Sequence, residues 1–503
     1  VLATAVATFA RRWRVPAPSL LVLAGLVVAL IPGAPALRVP PTTIALVVLP
    51  PLLYAAAEEL SPRDLRAVWR PVTVLAFGLV LASAAAVGLA AHALTGLVPA
   101  MAFVLGAVLA STDPVAVTAL GRRLALPGRV QALVQAESLF NDATSLVLFK
   151  VAVGMAVAGG GSAGAGSAVG KFVLLGGGGS LIGAAVAVAV RALRRRVNDP
   201  VLETVIALVT PYAAYVLAES ARTSGVTAVI VTGVLVGSSG RRLGDAQTRL
   251  QVQAVYAVVV FLLESVVFSI VGLELPTLVR DLPSGASWWA PQALALAGVL
   301  LAIRVAWTLP LTRVVGPGPG RSSWRVAVVM TWAGTRGVMP LAAALSIPLA
   351  AADGSPLAGR PLVLVLTTAV VVFTLVVQGL SLTAVVRRSG LALEPQHTAR
   401  EEDAARDALT RAALAHVDAL VGLEVVPEVV VDRMRRGLAA RLGAADGTDG
   451  AALDAAYRAL GREVIAVQTA ELHRLYDEHR ISDTTHRRLQ RDLDRQDAAF
   501  DQP

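Results

Sequence analysis

Apolar and polar positions follow one another along this chain in long blocks. Runs rich in Ala, Val and Leu occupy 1–10, 17–33, 42–57, 71–95, 99–120, 130–157, 172–190, 201–218, 225–238, 252–273, 287–312, 324–349 and 362–386. A helix needs roughly 20 apolar residues to cross a bilayer core. The blocks predict an all-α polytopic membrane protein with about thirteen transmembrane helices. The first block is too short to cross and reads as an incomplete span.

The pattern changes near residue 390. Segments such as "REEDAARDALTRAALAHVDALV" and "AELHRLYDEHRISDTTHRRLQRDLDRQ" carry dense mixed charge at helical spacing. We expect a transmembrane domain over 1–390 and a helical tail over 391–503. Five histidines fall in that tail, His397, His416, His473, His479 and His486, and read as solvated surface groups.

The links between blocks set the orientation. Alternate links carry clusters, such as Arg63, Arg66 and Arg70, then Arg122, Arg123 and Arg129, then Arg191, Arg194, Arg195 and Arg196. The intervening links carry one basic residue each: Arg38, Lys171, Arg222, Arg280 and Arg360. Cytoplasmic loops are enriched in Lys and Arg. The Arg-rich side, and the tail with it, is therefore expected in the cytoplasm. The segment "AGGGSAGAGSAVGK" preceding Lys171 reads as a flexible outer loop.

Composition agrees with this class. The chain of 503 residues is 55% hydrophobic and 16% charged, with a mean hydropathy of +0.68. Soluble domains run nearer a quarter charged. The formal charge of +9 is spread through the links, which argues against a nucleic-acid partner. The absence of cysteine excludes disulfides, thiol catalysis and cysteine-held metals. Nothing in the sequence calls for a cofactor.

Three apolar blocks carry ionisable groups at membrane depth, where charge is costly and needs a partner or a function. In "AESLFNDATSLVLF", Glu137 and Asn141 are four residues apart, as are Ser138 and Asp142, so one helix face offers carboxylate, amide and hydroxyl oxygens. Such ligands suit a hard cation. In "LASTDPVAVTAL", Asp113 lies mid-block between Thr112 and Pro114, where the proline disfavours helix. In "VVMTWAGTRGVMPLAAALSIP", Arg336 stands between Gly334 and Gly337, with Pro340 beyond. Two interrupted spans in different halves of a chain point to a transport site near the midplane. Glu137 is the acid expected to neutralise Arg336. Glu264, in "FLLESVVFSIVGLEL", either lines the pathway or pairs with Arg304.

These stretches, together with "VVQGLSLTAVVRRSGL", resemble the NhaP-like branch of the monovalent cation:proton antiporters, in order from about residue 15 to 390. The resemblance implies inverted repeats with two crossing, locally unwound helices, a membrane-embedded homodimer and elevator-like alternating access. It implies that Asp142 takes either the cation or the proton. Asp113, Thr112, Ser138 and Glu137 would complete the ion site, with Na+ at Asp142, Asp113, Ser138 and Thr112. Asn141 and Arg336 would hold the Glu137 acid in place. The asparagine before Asp142 implies one cation exchanged per proton. Glu264 departs from the family pattern, in which a neutral polar residue, often Asn, is expected.

The expected function is thus a secondary antiporter of the plasma membrane, exchanging Na+ for H+ electroneutrally in pH and sodium homeostasis, and not an enzyme. The competing readings are a K+/H+ antiporter, a cation channel and an intramembrane aspartyl protease. The protease reading is weakened because Asp142 follows Asn and Asp113 follows Thr, where a Gly-flanked aspartate is needed.

Overall fold

The computed structural model describes residues 17–31, 46–113 except 61, 128–158, 165–240 except 198, 246–282, 288–315 and 323–390. It also describes two helical stretches of the tail, 408–419 and 464–474, and a few single positions. The chain divides into two compact units, Val1–Leu393 and Glu394–Pro503.

Among the described residues the first unit is built of helices, with one isolated antiparallel bridge between Ala350 and Pro356. Its helices are α1 (Ala17–Ala29), α2 (Leu49–Glu59), α3 (Pro62–Thr73), α4 (Val80–Thr95), α5 (Pro99–Ala110), α6 (Gly128–Val157), α7 (Ala165–Arg194) and α8 (Pro200–Ser220). There follow α9 (Gly225–Gly240), α10 (Ala246–Arg280), α11 (Trp289–Val315), α12 (Ser323–Trp332), α13 (Val338–Leu345), α14 (Arg360–Phe373) and α15 (Gly379–Ser389). Single π-helical turns, Val74–Leu79 and Thr374–Gln378, join α3 to α4 and α14 to α15.

Local sequence explains the helix ends. Proline occupies the first turn of α5 and α8, where its missing N–H costs nothing. Asp199 caps α8, accepting from the N–H groups of Val201 and Leu202 at 2.8 and 2.9 Å. Gly96 ends α4 with φ of 66°, the left-handed region that glycine enters at no steric cost.

Lipid offers little hydrophobic drive between helices, so close packing relies on small residues. The α1–α10 contact has Gly25 facing Gly272 so closely that a Cβ on either would overlap the other helix's backbone. α5 packs on α4 in the same way through Gly106 and Gly88, and α7 packs on α9, which in turn packs on α2.

Among the described residues seven helices are long and apolar enough to cross a membrane, and Ala17–Ala29, Pro99–Ala110 and Gly225–Ser238 are shorter apolar helices. The expected thirteen spans are not all matched by long helices among the described residues. Block 99–120 leaves the helix after Ala110, with 114–120 outside the described residues, block 324–349 breaks into two short helices, and most of 1–10 and part of 42–57 lie outside the described residues. The anticipated outer loop is also shorter than expected. Helix α7 begins at Ala165, so Gly170 and Lys171 are helical, because the Ala-, Ser- and Val-containing stretch continues the apolar helix instead of ending it.

In the second unit, exposed ion pairs tie neighbouring helical turns, with Arg474 bridging Glu471 at 2.6 Å and Glu478 at 2.5 Å.

Candidate functional site

The two interrupted blocks cross. α5 ends at Ser111, whose ψ of 144° is extended, and α12 ends at Trp332, with an extended segment before α13. The Asp113 N–H donates to the Thr335 carbonyl at 2.8 Å, and the Thr335 hydroxyl donates to the Asp113 carbonyl at 3.0 Å. Each unwound segment thus satisfies backbone groups that the other has freed, which is what allows non-helical chain at membrane depth. The break opens at Ser111, two residues before Asp113. Pro114 and the rest of its block to 127 lie outside the described residues. Gly337 is required at the crossing, because a Cβ there would coincide with the Asp113 carboxylate.

α6 runs past the crossing and presents its polar face to it. The Ser138 hydroxyl donates to the Thr112 carbonyl, and the Asn141 amide donates to the Thr112 hydroxyl at 3.0 Å. The Ser111 hydroxyl donates to Asp142 Oδ1. One turn on, the Ser145 hydroxyl reaches the Ala107 carbonyl at 2.7 Å. The i,i+4 pairs read from the sequence therefore act as one polar stripe, turned onto the end of α5.

The acid–arginine pairing differs from the expected one. Glu137 pairs with Arg304, not Arg336: Arg304 Nη1 lies 2.8 Å from Glu137 Oε1, and Nη2 donates to Oε2 at 3.0 Å. Both side chains are buried, at 1% and 4% exposure for Glu137 and Arg304. Arg304 Nε also donates to the Met330 carbonyl at 3.0 Å. Arg304 is accordingly not the partner of Glu264.

Arg336 instead curls back over helix ends, its Nε donating to the Leu109 carbonyl at 2.8 Å and its Nη1 to the Gly334 carbonyl at 2.6 Å. The physical reason is local. The last carbonyls of a broken helix lack partners and carry the negative end of its dipole, so a guanidinium beside them is held without a carboxylate. The Arg336 N–H in turn donates to Thr374 in the π-helical turn, at 3.2 Å. The Asn141 amide donates to Thr112, and among the described residues neither Asn141 nor Arg336 makes a hydrogen bond or ion pair with Glu137.

A cavity of about 710 Å³ reaches this crossing. Asp113, Ser138, Asp142 and Glu264 line it together, whereas Thr112, Glu137, Asn141 and Arg336 stand behind its wall. Asp142 is 6% exposed, and that exposure faces the cavity. Among the described residues it makes no ion pair; its hydrogen-bond donor is the neutral Ser111. A buried carboxylate so placed can hold a proton or a hard cation, with nearby hydroxyl and carbonyl oxygens to complete the shell. Arg194, Glu203 and Arg249 line the same cavity from helix ends.

Two contributors were not singled out from the sequence as site residues: Ser111 and, as the partner of Glu137, Arg304. Ser111 adjoins the quoted Thr112-Asp113 pair. Arg304 is the one charge within block 287–312, which was the available signal. Lys150, two turns beyond Asp142, turns away to pair with Glu219 at 2.5 Å, both about a third exposed.

Crossed, unwound helices with buried carboxylates beside them define a secondary transporter fold. The family profile described as "Sodium/hydrogen exchanger, transmembrane" matches residues 1–388, and the chain belongs to that family. An uncharacterized Na+/H+ exchanger of Mycobacterium tuberculosis is 36% identical, over 96% of this chain and 91% of its own. The Na+/H+ antiporter ApNhaP of Aphanothece halophytica is 32% identical, over 81% of this chain and 76% of its own. The fold is similar to that of the sodium proton antiporter MjNhaP1 from Methanocaldococcus jannaschii, with a TM-score of 0.63 at 20% identity. That match covers 78% of this chain and 96% of MjNhaP1.

Proposed function

We propose that this protein is a secondary antiporter that exchanges Na+ for H+ at Asp142. The observation that carries the reading is the placement of Asp142: buried, open only to the cavity, and served by a neutral hydroxyl where an arginine would have fixed its charge. A proton and a cation exclude each other at one carboxylate. A bound cation makes protonation costly, and a bound proton removes the charge that holds the cation. If the site faces the two sides in turn and moves only when loaded, downhill flow of one ion drives the other uphill.

In this reading Asp113 and Ser138 supply further oxygens from the cavity wall, and Thr112 and Asn141 hold the unwound segment against α6. Glu137 stays outside the exchange, because Arg304 neutralises it throughout. One cation then replaces one proton, and exchange at Asp142 alone is electroneutral. The Arg-rich loops face the cytoplasm of a plasma-membrane protein and the tail lies with them. Arg194 belongs to that set and lines the cavity, so the cavity opens inward in this conformation. The protein works as a homodimer in sodium and pH homeostasis.

The test is dequenching of a pH-sensitive dye in everted vesicles holding a proton gradient, with Na+, Li+ and K+ added separately. The wild type is expected to dissipate the gradient on Na+ addition, and Asp142→Asn is expected not to, at equal protein level. Undiminished dequenching by Asp142→Asn would sink the proposal. A K+ response exceeding that to Na+ would reassign the cation.

A further inference from the structure

Glu264 is a carboxylate that the exchange at Asp142 does not use. It sits midway along α10, in a stripe formed by Tyr256, Val260, Glu264 and Phe268, all of which line the cavity. That spacing of four keeps one face of the helix turned to the cavity water. Thr248, Arg249 and Gln253 line the cavity nearer the start of α10; from Tyr256 to Phe268 Glu264 is the one charged residue of this helix that lines it.

No hydrogen-bond donor or cation among the described residues reaches Glu264. The two arginines buried at the crossing are committed elsewhere, Arg304 to Glu137 and Arg336 to backbone carbonyls. The charge that acts on Glu264 is a second anion, Asp113. A carboxylate with a purely structural role at membrane depth needs a partner within the protein, because an unpaired charge there is expensive. Among the described residues nothing neutralises Glu264, and the cavity that it lines is open to a proton or a cation.

Resting on the antiport reading, we infer that Glu264 is a second exchangeable carboxylate, which takes a proton or a monovalent cation from the cavity independently of Asp142. The step balances: the carboxylic acid gives up its proton to water as the cation binds the resulting carboxylate, with no other group oxidised or transferred. A cation in the cavity then finds two carboxylates lining it, one on α10 and one on α6. The protein can release more than one proton when fully loaded with cation.

The experiment is proton release from purified, lightly buffered full-length protein on addition of NaCl, read with a pH dye over a series of starting pH values. The variants are Glu264→Gln, Glu264→Asp, Asp142→Asn and the Glu264→Gln/Asp142→Asn pair. At the pH of largest release, Glu264→Gln is expected to lose about half of it and Asp142→Asn about the other half, while the pair releases none. Glu264→Asp, which keeps the carboxylate, is expected to restore the release and thereby exclude simple misfolding. Release by Glu264→Gln equal to wild type at every pH overturns the inference, as does equal release by Asp142→Asn and the pair. Vesicle exchange separates the two readings. Na+-driven dequenching with unchanged release in Glu264→Gln removes this inference alone. A Glu264-dependent release without any vesicle exchange removes the antiport reading and leaves this one standing.

Discussion

Removing one partner of the Glu137–Arg304 pair should be among the most destabilising single changes in the membrane unit. The contacts of 2.8 and 3.0 Å and the near-complete burial of both groups put the charges roughly 4 Å apart. At an effective dielectric near 20 their attraction is about 4 kcal/mol. Much of that offsets the loss of hydration, so the pair contributes little net stability; an orphaned charge, by contrast, costs about 3–5 kcal/mol. Glu137→Gln and Arg304→Met should each lower stability by that amount, and the double change should recover roughly 3 kcal/mol of the summed loss. The assay is unfolding of purified protein in mixed micelles of graded SDS content, arranged as a double-mutant cycle. A parallel cycle on Glu137 and Arg336 tests the pairing the sequence suggested. Its coupling should be much smaller, since Arg336 is held by the Leu109 and Gly334 carbonyls. The reasoning is refuted if the Glu137–Arg304 coupling falls below about 0.5 kcal/mol, the limit of additivity, or if the Glu137–Arg336 coupling exceeds it.

Gly337→Ala should abolish exchange in vesicles, because its methyl group would occupy the place of the Asp113 carboxylate; normal transport by a well-expressed variant would contradict the crossing described. Arg336→Ala leaves two buried carbonyls without a donor and should cost about 1–3 kcal/mol per group in the same unfolding assay. Competition at Asp142 predicts that the Na+ concentration for half-maximal exchange rises as pH falls, toward about tenfold per pH unit where the proton dominates, and a pH-independent value would oppose it. Lys150→Met should change stability by about 1 kcal/mol or less, because its bond to Glu219 is partly exposed; a larger loss of thermal stability would contradict that.

The helical multi-span architecture was largely legible because apolar length is a one-dimensional signal. Asp113 before Pro114, and Arg336 between Gly334 and Gly337, marked the two interrupted spans for the same reason: each break is encoded by its own neighbours. The i,i+4 relation of Ser138 to Asp142 also survived folding, since it needs only a helix. Partner choice did not survive. The pairing of Glu137 with Arg336 rests on the need of a deeply placed guanidinium for an acid from the other half of the chain, yet the geometry that decides it is the approach of α11 to α6, which no local pattern encodes. Ser111 escaped notice because its role depends on the unwound end of α5 meeting α6. The start of α7 at Ala165 was missed because glycine and serine mark loops in water, whereas in lipid an unpaired backbone favours continued helix.

The two arginines explain how a crossing so rich in charge leaves its central acid uncommitted. Arg304 is fixed by Glu137, a bidentate contact that turns two buried charges into one neutral unit. Arg336 lies at the carbonyl end of α5, and Asp113 lies against Gly337 at the amide end of α13, so each charge meets the helix pole of opposite sign. Charges held by dipoles need no counter-ion from the site itself. Had Arg336 been free to swing onto Asp142, it would have formed a permanent salt bridge, and neither a proton nor a cation would displace a guanidinium from that carboxylate under ordinary conditions. The unwound segments therefore do more than expose oxygens: by supplying free helix ends, they hold Arg336 on backbone carbonyls, where its charge acts on Asp142 without an ion pair, and Ser111 is left as the hydrogen-bond donor to that carboxylate among the described residues.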